Sequence, residues 1–146
     1  MKIALGCDHG GFERMQEIKA HLEELGHEYV DFGCYSTERA HYPVHGAAAA
    51  RAVASGECDL GIVICTTGIG ISIAANKIKG IRAACCSDTY SSKFTRLHND
   101  ANVICVGARV VGEGLAWEIV RTFVETEFEG GKHQRRVDMI TALENK

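Results

Sequence analysis

The chain has 146 residues, 46% of them hydrophobic, which is typical of one globular domain with its own core, so we expect a single domain over residues 1–146. Its 16 basic and 19 acidic residues give a formal net charge of -3, which argues against a general affinity for nucleic acid or an anionic membrane. No apolar run approaches the ~20 residues of a membrane-spanning helix, and no signal-peptide hydrophobic region precedes Asp8.

The chain alternates short apolar runs with segments of helical periodicity. Apolar residues recur every three or four positions from Phe12 to Leu25, and Gly26 follows as a helix stop. Pro43 is placed where an alanine-rich helix begins. In chain order we predict strand 3–5, helix 12–25, strand 28–32, helix 44–54, strand 61–65, helix 68–77, strand 81–86, helix 89–97, strand 102–106, helix 115–124 and helix 137–143.

This alternation predicts the α/β class, with a five-stranded parallel sheet covered by helices on both faces, as in Rossmann-like or flavodoxin-like folds. Ligands of such folds bind beyond the carboxyl ends of the strands. Three segments with reactive residue types are therefore expected at those ends, namely residues 6–11, 65–70 and 96–100.

Seven cysteines are an odd number, and no C-x-x-C pair occurs among them. Cys65, Cys85, Cys86 and Cys105 lie in apolar runs, where a free cysteine usually packs as a small hydrophobe. The spacing fits neither a disulfide framework nor a zinc site. We therefore expect free thiols in a reducing compartment, the cytoplasm.

The segment that begins at Cys65 has the clearest chemical potential. Cys65 ends a predicted strand just before a helix, so free N–H groups of the helix start would favour a thiolate and could hold an enediolate oxygen. Gly68 and Gly70 let a ligand approach the backbone closely. The alternative is that Cys65 is only the last buried residue of its strand. Nucleotide binding is not indicated, because Ile73 replaces the last Gly of G-x-G-x-x-G and no P-loop motif occurs.

The remaining polar segments each allow a functional and a structural interpretation. Asp8 and His9 could act as acid and base or bind phosphate, or Asp8 could cap a helix beside an exposed His9. His98 could be functional, or could provide favourable charge at a helix end. Lys132 and Arg136 lie four residues apart at a helix start, which indicates an anionic ligand or a solvated basic face.

Together these segments closely resemble the ribose-5-phosphate isomerase B family, which includes galactose-6-phosphate isomerase relatives. The matching residues run from residue 3 to about residue 143, so the resemblance covers nearly the whole chain. The matching motifs are GCDH (6–9), YP (42–43), CTTGIGISIAANK (65–77), GIRA (80–83), HNDAN (98–102), GARVVG (107–112) and EGGKHQRRV (129–137).

The resemblance implies a three-layer α/β/α sandwich that interconverts ribose 5-phosphate and ribulose 5-phosphate through a cis-enediolate. It implies no metal, no organic cofactor, and a homodimer, or a tetramer built from it, with active sites shared between chains. Three alternatives stay open, one of which is a redox-sensor thiol protein. The chain could isomerise another phosphorylated sugar, such as a tetrose, allose or galactose phosphate, or it could be a non-catalytic sugar-phosphate-binding subunit.

The resemblance assigns catalysis to four side chains. Cys65 takes the proton from C2, and Thr67 helps to move protons between O1 and O2. His98, together with Asp8, assists the opening of the sugar ring. These roles are carried over from the family position by position.

Substrate binding is implied for a larger set. Asn99 and the amides of residues 68–72 hold the enediolate, Tyr42 lines the pocket, and cationic side chains bind the phosphate. His98, Asn99 and Arg109 would come from the partner subunit. The binding set is His9, Tyr42, Gly68, Ile69, Gly70, Ile71, Ser72, Asn99, Arg109, Lys132 and Arg136.

The chain departs from the family pattern at three positions. Thr66 replaces the first Gly of the usual Cys-Gly-Thr-Gly, so the turn must hold a negative φ at this β-branched residue. Lys132 stands where the family has Arg, and His41 where ribose-type members often have Asp. These changes bear on the substrate rather than on the reaction type. Relatives that use a Glu base have it at the position of Ser72 and lack Cys65, so this chain belongs to the thiol-based group.

Overall fold

Five strands and six α-helices alternate along the chain. The computed structural model describes residues 1–146. The elements are β1 (Lys2–Cys7), α1 (Phe12–Glu24), β2 (Glu28–Asp31), α2 (Tyr42–Ala54), β3 (Leu60–Cys65), α3 (Ile69–Asn76), β4 (Ala83–Cys85), α4 (Thr89–Asn99), β5 (Val103–Gly107), α5 (Glu113–Glu125) and α6 (Lys132–Ala142), followed by a 3₁₀ turn (Leu143–Asn145).

The strands form one sheet in the order β2-β1-β3-β5-β4, and every neighbouring pair is parallel. The predicted α/β fold with a five-stranded parallel sheet is thus confirmed. The last two strands are exchanged relative to the flavodoxin order 2-1-3-4-5. From β1 the chain adds β2 on one side and β3 on the other, and the crevice between the carboxyl ends of β1 and β3 is where such sheets bind ligands.

Alternation along the strands sends successive side chains to opposite helix layers. Ile62 and Ile64 of β3 join a cluster of 20 buried residues that α1 and α5 cover. Val63 and Cys65 join a second cluster of 13 buried residues on the side of α2 and α3. These two cores give the three-layer α/β/α sandwich, and they place the Cys65 side chain on the α2/α3 side.

Strand β4 is shorter than predicted because a side chain replaces part of its pairing with β5. The Asn102 side chain accepts a hydrogen bond from the Arg82 N–H and donates one to the Gly80 carbonyl, both at 2.8 Å. Regular pairing of β4 begins only at Ala83, which lies opposite Val103.

All seven cysteines are free thiols. Six are buried, but Cys85 is exposed, so the expectation that it packs in the core is wrong. Cys85 ends an edge strand whose single neighbour is β5. None of the helices combines the length and the apolar character that crossing a membrane requires.

Candidate active site

The loop after β1 holds a buried carboxylate at the sheet crevice. Asp8 is 6% exposed, and its N–H donates to the Ile64 carbonyl of β3 at 3.3 Å. Its Oδ1 accepts hydrogen bonds from the N–H groups of Gly10 at 2.9 Å and Gly11 at 3.1 Å. Gly11 is the N-cap of α1, so the alternative that Asp8 is the capping residue is wrong. The backbone contacts use Oδ1, which leaves Oδ2 for another partner.

Cys65 ends β3 with its sulfur against the start of α3. The Gly68 N–H donates to Cys65 Sγ at 3.2 Å, and the Ile69 N–H donates to Thr67 Oγ1 at 3.2 Å. No acceptor within the chain pairs with the N–H groups of Gly70 and Ile71, as is usual in the first turn of a helix. The sulfur and two free amide donors therefore lie at the same helix terminus.

The turn between Cys65 and α3 takes its left-handed residue from glycine. Gly68 has φ +79°, and Asp100 is the one non-glycine residue with positive φ, so the negative φ expected for Thr66 is confirmed. A Cβ on Gly68 would lie 2.8 Å from the Val106 carbonyl carbon, closer than ordinary contacts allow.

Replacing Gly68 with alanine is expected to lower the free energy of unfolding. A left-handed alanine costs about 1–2 kcal/mol, and overpacking against backbone costs about 1–3 kcal/mol more. Urea unfolding monitored by circular dichroism measures the difference. Gly112→Ala is the matched control, since Gly112 has φ −74° and a Cβ there would meet nothing within 4 Å. Equal stability of the two variants would contradict this account of the turn.

Tyr42 and α3 form one wall beside Cys65. A Cβ on Gly70 would lie 2.7 Å from Tyr42 Cζ, so the phenol ring covers this glycine. Ile71 is fully buried, which limits any role of this residue in binding to its backbone N–H. The Ser72 hydroxyl donates to the Ile69 carbonyl at 2.6 Å and so holds the first turn of α3.

His9 and Arg109 flank the same crevice. His9 Nδ1 lies 3.1 Å from the Ala40 backbone nitrogen and 3.2 Å from the Ala40 carbonyl oxygen, so Nε2 is left for another partner. The Arg109 N–H donates to the Thr66 carbonyl at 3.1 Å, and the exposed Arg109 side chain borders a groove of about 300 Å³ together with Gly10. Arg109 therefore lies at the Cys65 edge of its own chain.

Cys85 is a second thiol near Cys65 that the sequence analysis did not single out for function. Its Sγ lies 3.9 Å from the Thr67 carbonyl oxygen, beside a cavity of about 160 Å³. Desolvation of the sulfur by the atoms around it, followed by the effect of the neighbouring Cys65, raises the pKa of the Cys85 thiol. The surroundings of Cys85 therefore favour the neutral thiol over the thiolate.

His98 and Asn99 lie at the opposite edge of the sheet. Helix α4 starts after the carboxyl end of β4 and runs back along the sheet, so its last residues lie near the amino ends of the strands. Arg82, just before β4, donates from Nε to the Asn99 carbonyl at 3.1 Å. The expectation that residues 96–100 lie at strand carboxyl ends is therefore wrong, and the antiparallel return of a helix after a strand is the signal that would have located them.

The start of α6 lies next to His98 and carries the two predicted cations. The Glu129 N–H donates to the Leu97 carbonyl at 3.1 Å, which ties the segment before α6 to α4. Lys132 and Arg136 line an exposed groove of about 520 Å³ on α6. The expected common helix face of these two residues is confirmed.

His133 and Glu129 are neighbours of His98 that the sequence analysis did not single out. The His98 and His133 rings stack with centroids 4.1 Å apart. Desolvation of the partly covered ring, followed by the charge of His98, lowers the pKa of His133. Glu129 and His133 both fall within the motif at 129–137, but only the packing of α6 on α4 shows that they adjoin His98.

The site residues thus form two groups within one chain. The first, which we call the cysteine group, lies at the carboxyl edge of the sheet. The second, which we call the histidine group, lies at the amino edge, about 13 Å away over the length of β5 at ~3.3 Å per residue. Arg109 lies beside Cys65 within its own chain, and the expectation that the partner subunit supplies Arg109 together with His98 and Asn99 stays a prediction. The cysteine group is Asp8, His9, Tyr42, Cys65, Thr67, residues 68–72 and Arg109, and the histidine group is His98, Asn99, Lys132 and Arg136.

Comparison with known proteins identifies the family. The model of the ribose/galactose isomerase family matches residues 3–140. The chain is 54% identical to ribose-5-phosphate isomerase B of Escherichia coli (strain K12), over 99% of this chain and 97% of that protein. It is 43% identical to galactose-6-phosphate isomerase subunit LacB of Clostridium acetobutylicum, over 94% of this chain and 79% of that protein.

The fold leads to the same family. A solved structure of ribose-5-phosphate isomerase B from Clostridium thermocellum superposes with a TM-score of 0.98 and 52% identity, over 99% of this chain and 98% of that chain. The chain therefore belongs to the ribose/galactose isomerase family, and within it to the ribose-5-phosphate isomerase B group.

Proposed function

We propose that this chain interconverts ribose 5-phosphate and ribulose 5-phosphate as a thiol-based aldose–ketose isomerase. The observation that carries the proposal is the position of Cys65 Sγ, 3.2 Å from the Gly68 N–H at the start of α3 and beside two unpaired amides. The full-length similarity to a relative that bears the name ribose-5-phosphate isomerase B supports this substrate.

The reaction needs one base, one path for hydroxyl protons and stabilisation of one oxyanion. Cys65 as thiolate takes the proton from C2, and the electron pair moves to the C1 carbonyl oxygen to give the cis-enediolate. The thiol then returns a proton to C1 while the carbonyl forms at C2. The free N–H groups of Gly70 and Ile71 stabilise the enediolate oxygen, and the Thr67 hydroxyl moves a proton between O1 and O2.

Ring opening and phosphate binding require the histidine group, which one chain does not bring to its own Cys65. We propose that a second copy of the chain supplies it, so that each active site of a homodimer combines a cysteine group with the partner's histidine group. Apolar side chains around the cysteine group support an interface there, because Val44, Ile69, Ile73 and Val110 are each more than half exposed. A two-fold dimer of this kind contains two equivalent sites.

Arg136→Ala is expected to raise KM for the phosphorylated substrate about 10- to 100-fold, because a hydrogen bond to a charged group contributes ~1.5–3 kcal/mol. Steady-state kinetics with ribose 5-phosphate measure the change. Arg121→Ala is the matched control, since Arg121 pairs with Glu125 on the exposed surface of α5 and lies outside the proposed site. An unchanged KM in Arg136→Ala would show that α6 does not bind the phosphate.

The function is tested with a panel of four-, five- and six-carbon sugar phosphates in deuterium oxide, followed by proton NMR. We expect the highest kcat/KM with ribose 5-phosphate and deuterium incorporation at the exchanging carbon. The panel includes other sugars, such as galactose 6-phosphate, because the chain departs from the ribose-type pattern at Thr66, His41 and Lys132. Faster turnover of another sugar phosphate would replace ribose 5-phosphate as the proposed substrate. Binding of a sugar phosphate without deuterium exchange would indicate a receptor instead of an enzyme.

We also propose that residues 1–146 act as one domain in a reducing compartment, the cytoplasm. The five strands share a single sheet, which supports one folding unit. The seven free thiols support the compartment.

A further inference from the structure

The ring of His98 has no hydrogen bond within the chain that would fix its orientation. The Glu129 carboxylate is a neighbour, but its Oε2 lies 3.9 Å from His98 Nε2, beyond the about 2.7–3.2 Å of a hydrogen bond. The orientation of an active-site histidine is usually set by a hydrogen bond from its second ring nitrogen to a carbonyl or a carboxylate. His98 must therefore take its orientation from other contacts.

Two aromatic rings make those contacts. The His133 ring stacks on the His98 ring, with centroids 4.1 Å apart and 16° between the planes. The Phe94 ring, one turn earlier on α4, meets His98 edge-on, with centroids 5.0 Å apart and 69° between the planes. Stacked and edge-to-face arrangements are the ones that aromatic side chains prefer. The plane of the His98 ring is thus set by its neighbours.

His133 is itself held firmly by the packing of α6 on α4. It is 8% exposed, and Val137, one turn later on α6, is buried as well. The Glu129 N–H donates to the carbonyl of Leu97, the residue before His98, and this bond ties the start of α6 to the end of α4. The fold therefore fixes the place of the His133 ring before any substrate binds.

We propose that His133 is a positioning residue that holds the imidazole of His98 in the orientation required for opening of the sugar ring, an inference that rests on the proposed function. Stacking restricts the face of a ring and leaves the nitrogens at its edge free to transfer protons. The effect on rate is expected to be large, because misplacing a catalytic group by about 1 Å can cost about 100-fold.

The surroundings of His133 suit this role. Desolvation, followed by the charge of His98, lowers the pKa of His133, and the neighbouring Lys132 and Arg136 act in the same direction. A neutral ring can remain stacked when His98 takes up a proton, whereas two charged rings with centroids 4.1 Å apart would repel each other. Proton transfer is thereby left to His98.

The two directions of the reaction separate the role of His98 from that of Cys65. Ribose 5-phosphate is mainly a closed ring, which must open before C2 can lose its proton. Ribulose 5-phosphate is an open chain, because the oxygen that would close its ring carries the phosphate. Only the aldose needs ring opening, so a misoriented His98 should slow the reaction of the aldose and spare proton exchange in the ketose.

His133→Ala is expected to lower kcat/KM for ribose 5-phosphate about 10- to 100-fold. Ribulose 5-phosphate should still exchange its C1 proton in deuterium oxide at nearly the unmodified rate, as followed by proton NMR. His133→Leu fills the space without a flat ring and should behave like His133→Ala, whereas His133→Phe restores a flat ring and should recover most of the lost rate. His21→Ala is the matched control, because it removes the ring that stacks on Trp117 with centroids 4.6 Å apart, outside the proposed site, and it should change neither rate.

Three results would overturn this role of His133. Equal losses with both sugars in His133→Ala and His133→Leu would show that the residue supports the whole site. A loss in His133→Phe as large as that in His133→Ala would show that His133 transfers protons itself. The same loss in Glu129→Gln, with none in His133→Ala, would assign the orientation of His98 to the carboxylate.

Failure of this inference is distinct from failure of the proposed function. If the unmodified chain processed neither sugar, the proposed function would fail and the role of His133 would fail with it. If the unmodified chain processed both sugars and His133→Ala matched it, the role of His133 alone would fail.

Discussion

Cys65→Ala is expected to lower kcat about 10³–10⁴-fold, because the variant lacks the group that takes the proton from C2. Binding of ribulose 5-phosphate should persist, since the amides of Gly70 and Ile71 and the phosphate contacts stay in place. Removing the sulfur takes one acceptor from the Gly68 N–H, but the backbone hydrogen bonds from Ser72 to the Gly68 carbonyl and from Arg109 to the Thr66 carbonyl still hold the turn. Kinetics measure turnover, and calorimetry with ribulose 5-phosphate measures binding.

Variants of two other cysteines distinguish loss of the catalytic base in Cys65→Ala from loss of core packing. Cys58→Ala is the matched control, because Cys58 is buried in the same α2/α3 cluster as Cys65 but lies at the other end of β3. It should retain turnover with a modest loss of stability. Cys85→Ala tests the second thiol near the crevice and should also retain turnover. Full activity in Cys65→Ala, or a comparable loss of turnover in Cys85→Ala alone, would contradict the assignment of the base.

A mixed dimer of two inactive chains is expected to recover about half of the unmodified activity, because a two-fold dimer has two equivalent sites and one of them would be intact. One chain carries Cys65→Ala, and the other carries His98→Gln together with Arg136→Ala. In a shared arrangement, the intact Cys65 of the second chain meets the intact histidine group of the first. Coexpression with two different affinity tags isolates the mixed dimer, and its rate per dimer is compared with those of the parent homodimers.

The mirrored combination is the control for this experiment. A mixed dimer of one unmodified chain and one chain with all three substitutions should be inactive, because each site then contains one damaged group. If each chain used its own histidine group, the outcomes would be reversed, with half activity in the mirrored dimer and none in the first. That reversal would contradict the shared site.

The sequence alone determined the alternation of elements and the chemistry of the Cys65 turn. Hydrophobic periodicity reports which residues must be buried, so it located the strands and most helices closely, but it placed the start of the last helix at residue 137 instead of Lys132, because the first turn of α6 is mostly polar. The negative φ at Thr66 was also predictable from local sequence, because a β-branched residue avoids the left-handed region, whereas the positive φ at Gly68 was found only in the structure. The family motifs indicated the aldose–ketose isomerisation without any knowledge of which residues are in contact in the folded chain.

Only the tertiary structure decided which residues can act together. Spacing along the chain does not state which edge of the sheet a residue reaches, and the return of α4 along the sheet carries His98 away from Cys65. The positions of Arg109 and of the cations of α6 also depend on packing between segments that are distant in the chain. The contacts of His133 and Glu129 with His98, and the exposure of Cys85 on an edge strand, likewise arise from how layers meet. Local sequence controls backbone conformation and burial, whereas the assembly of a site depends on contacts between elements far apart in the chain.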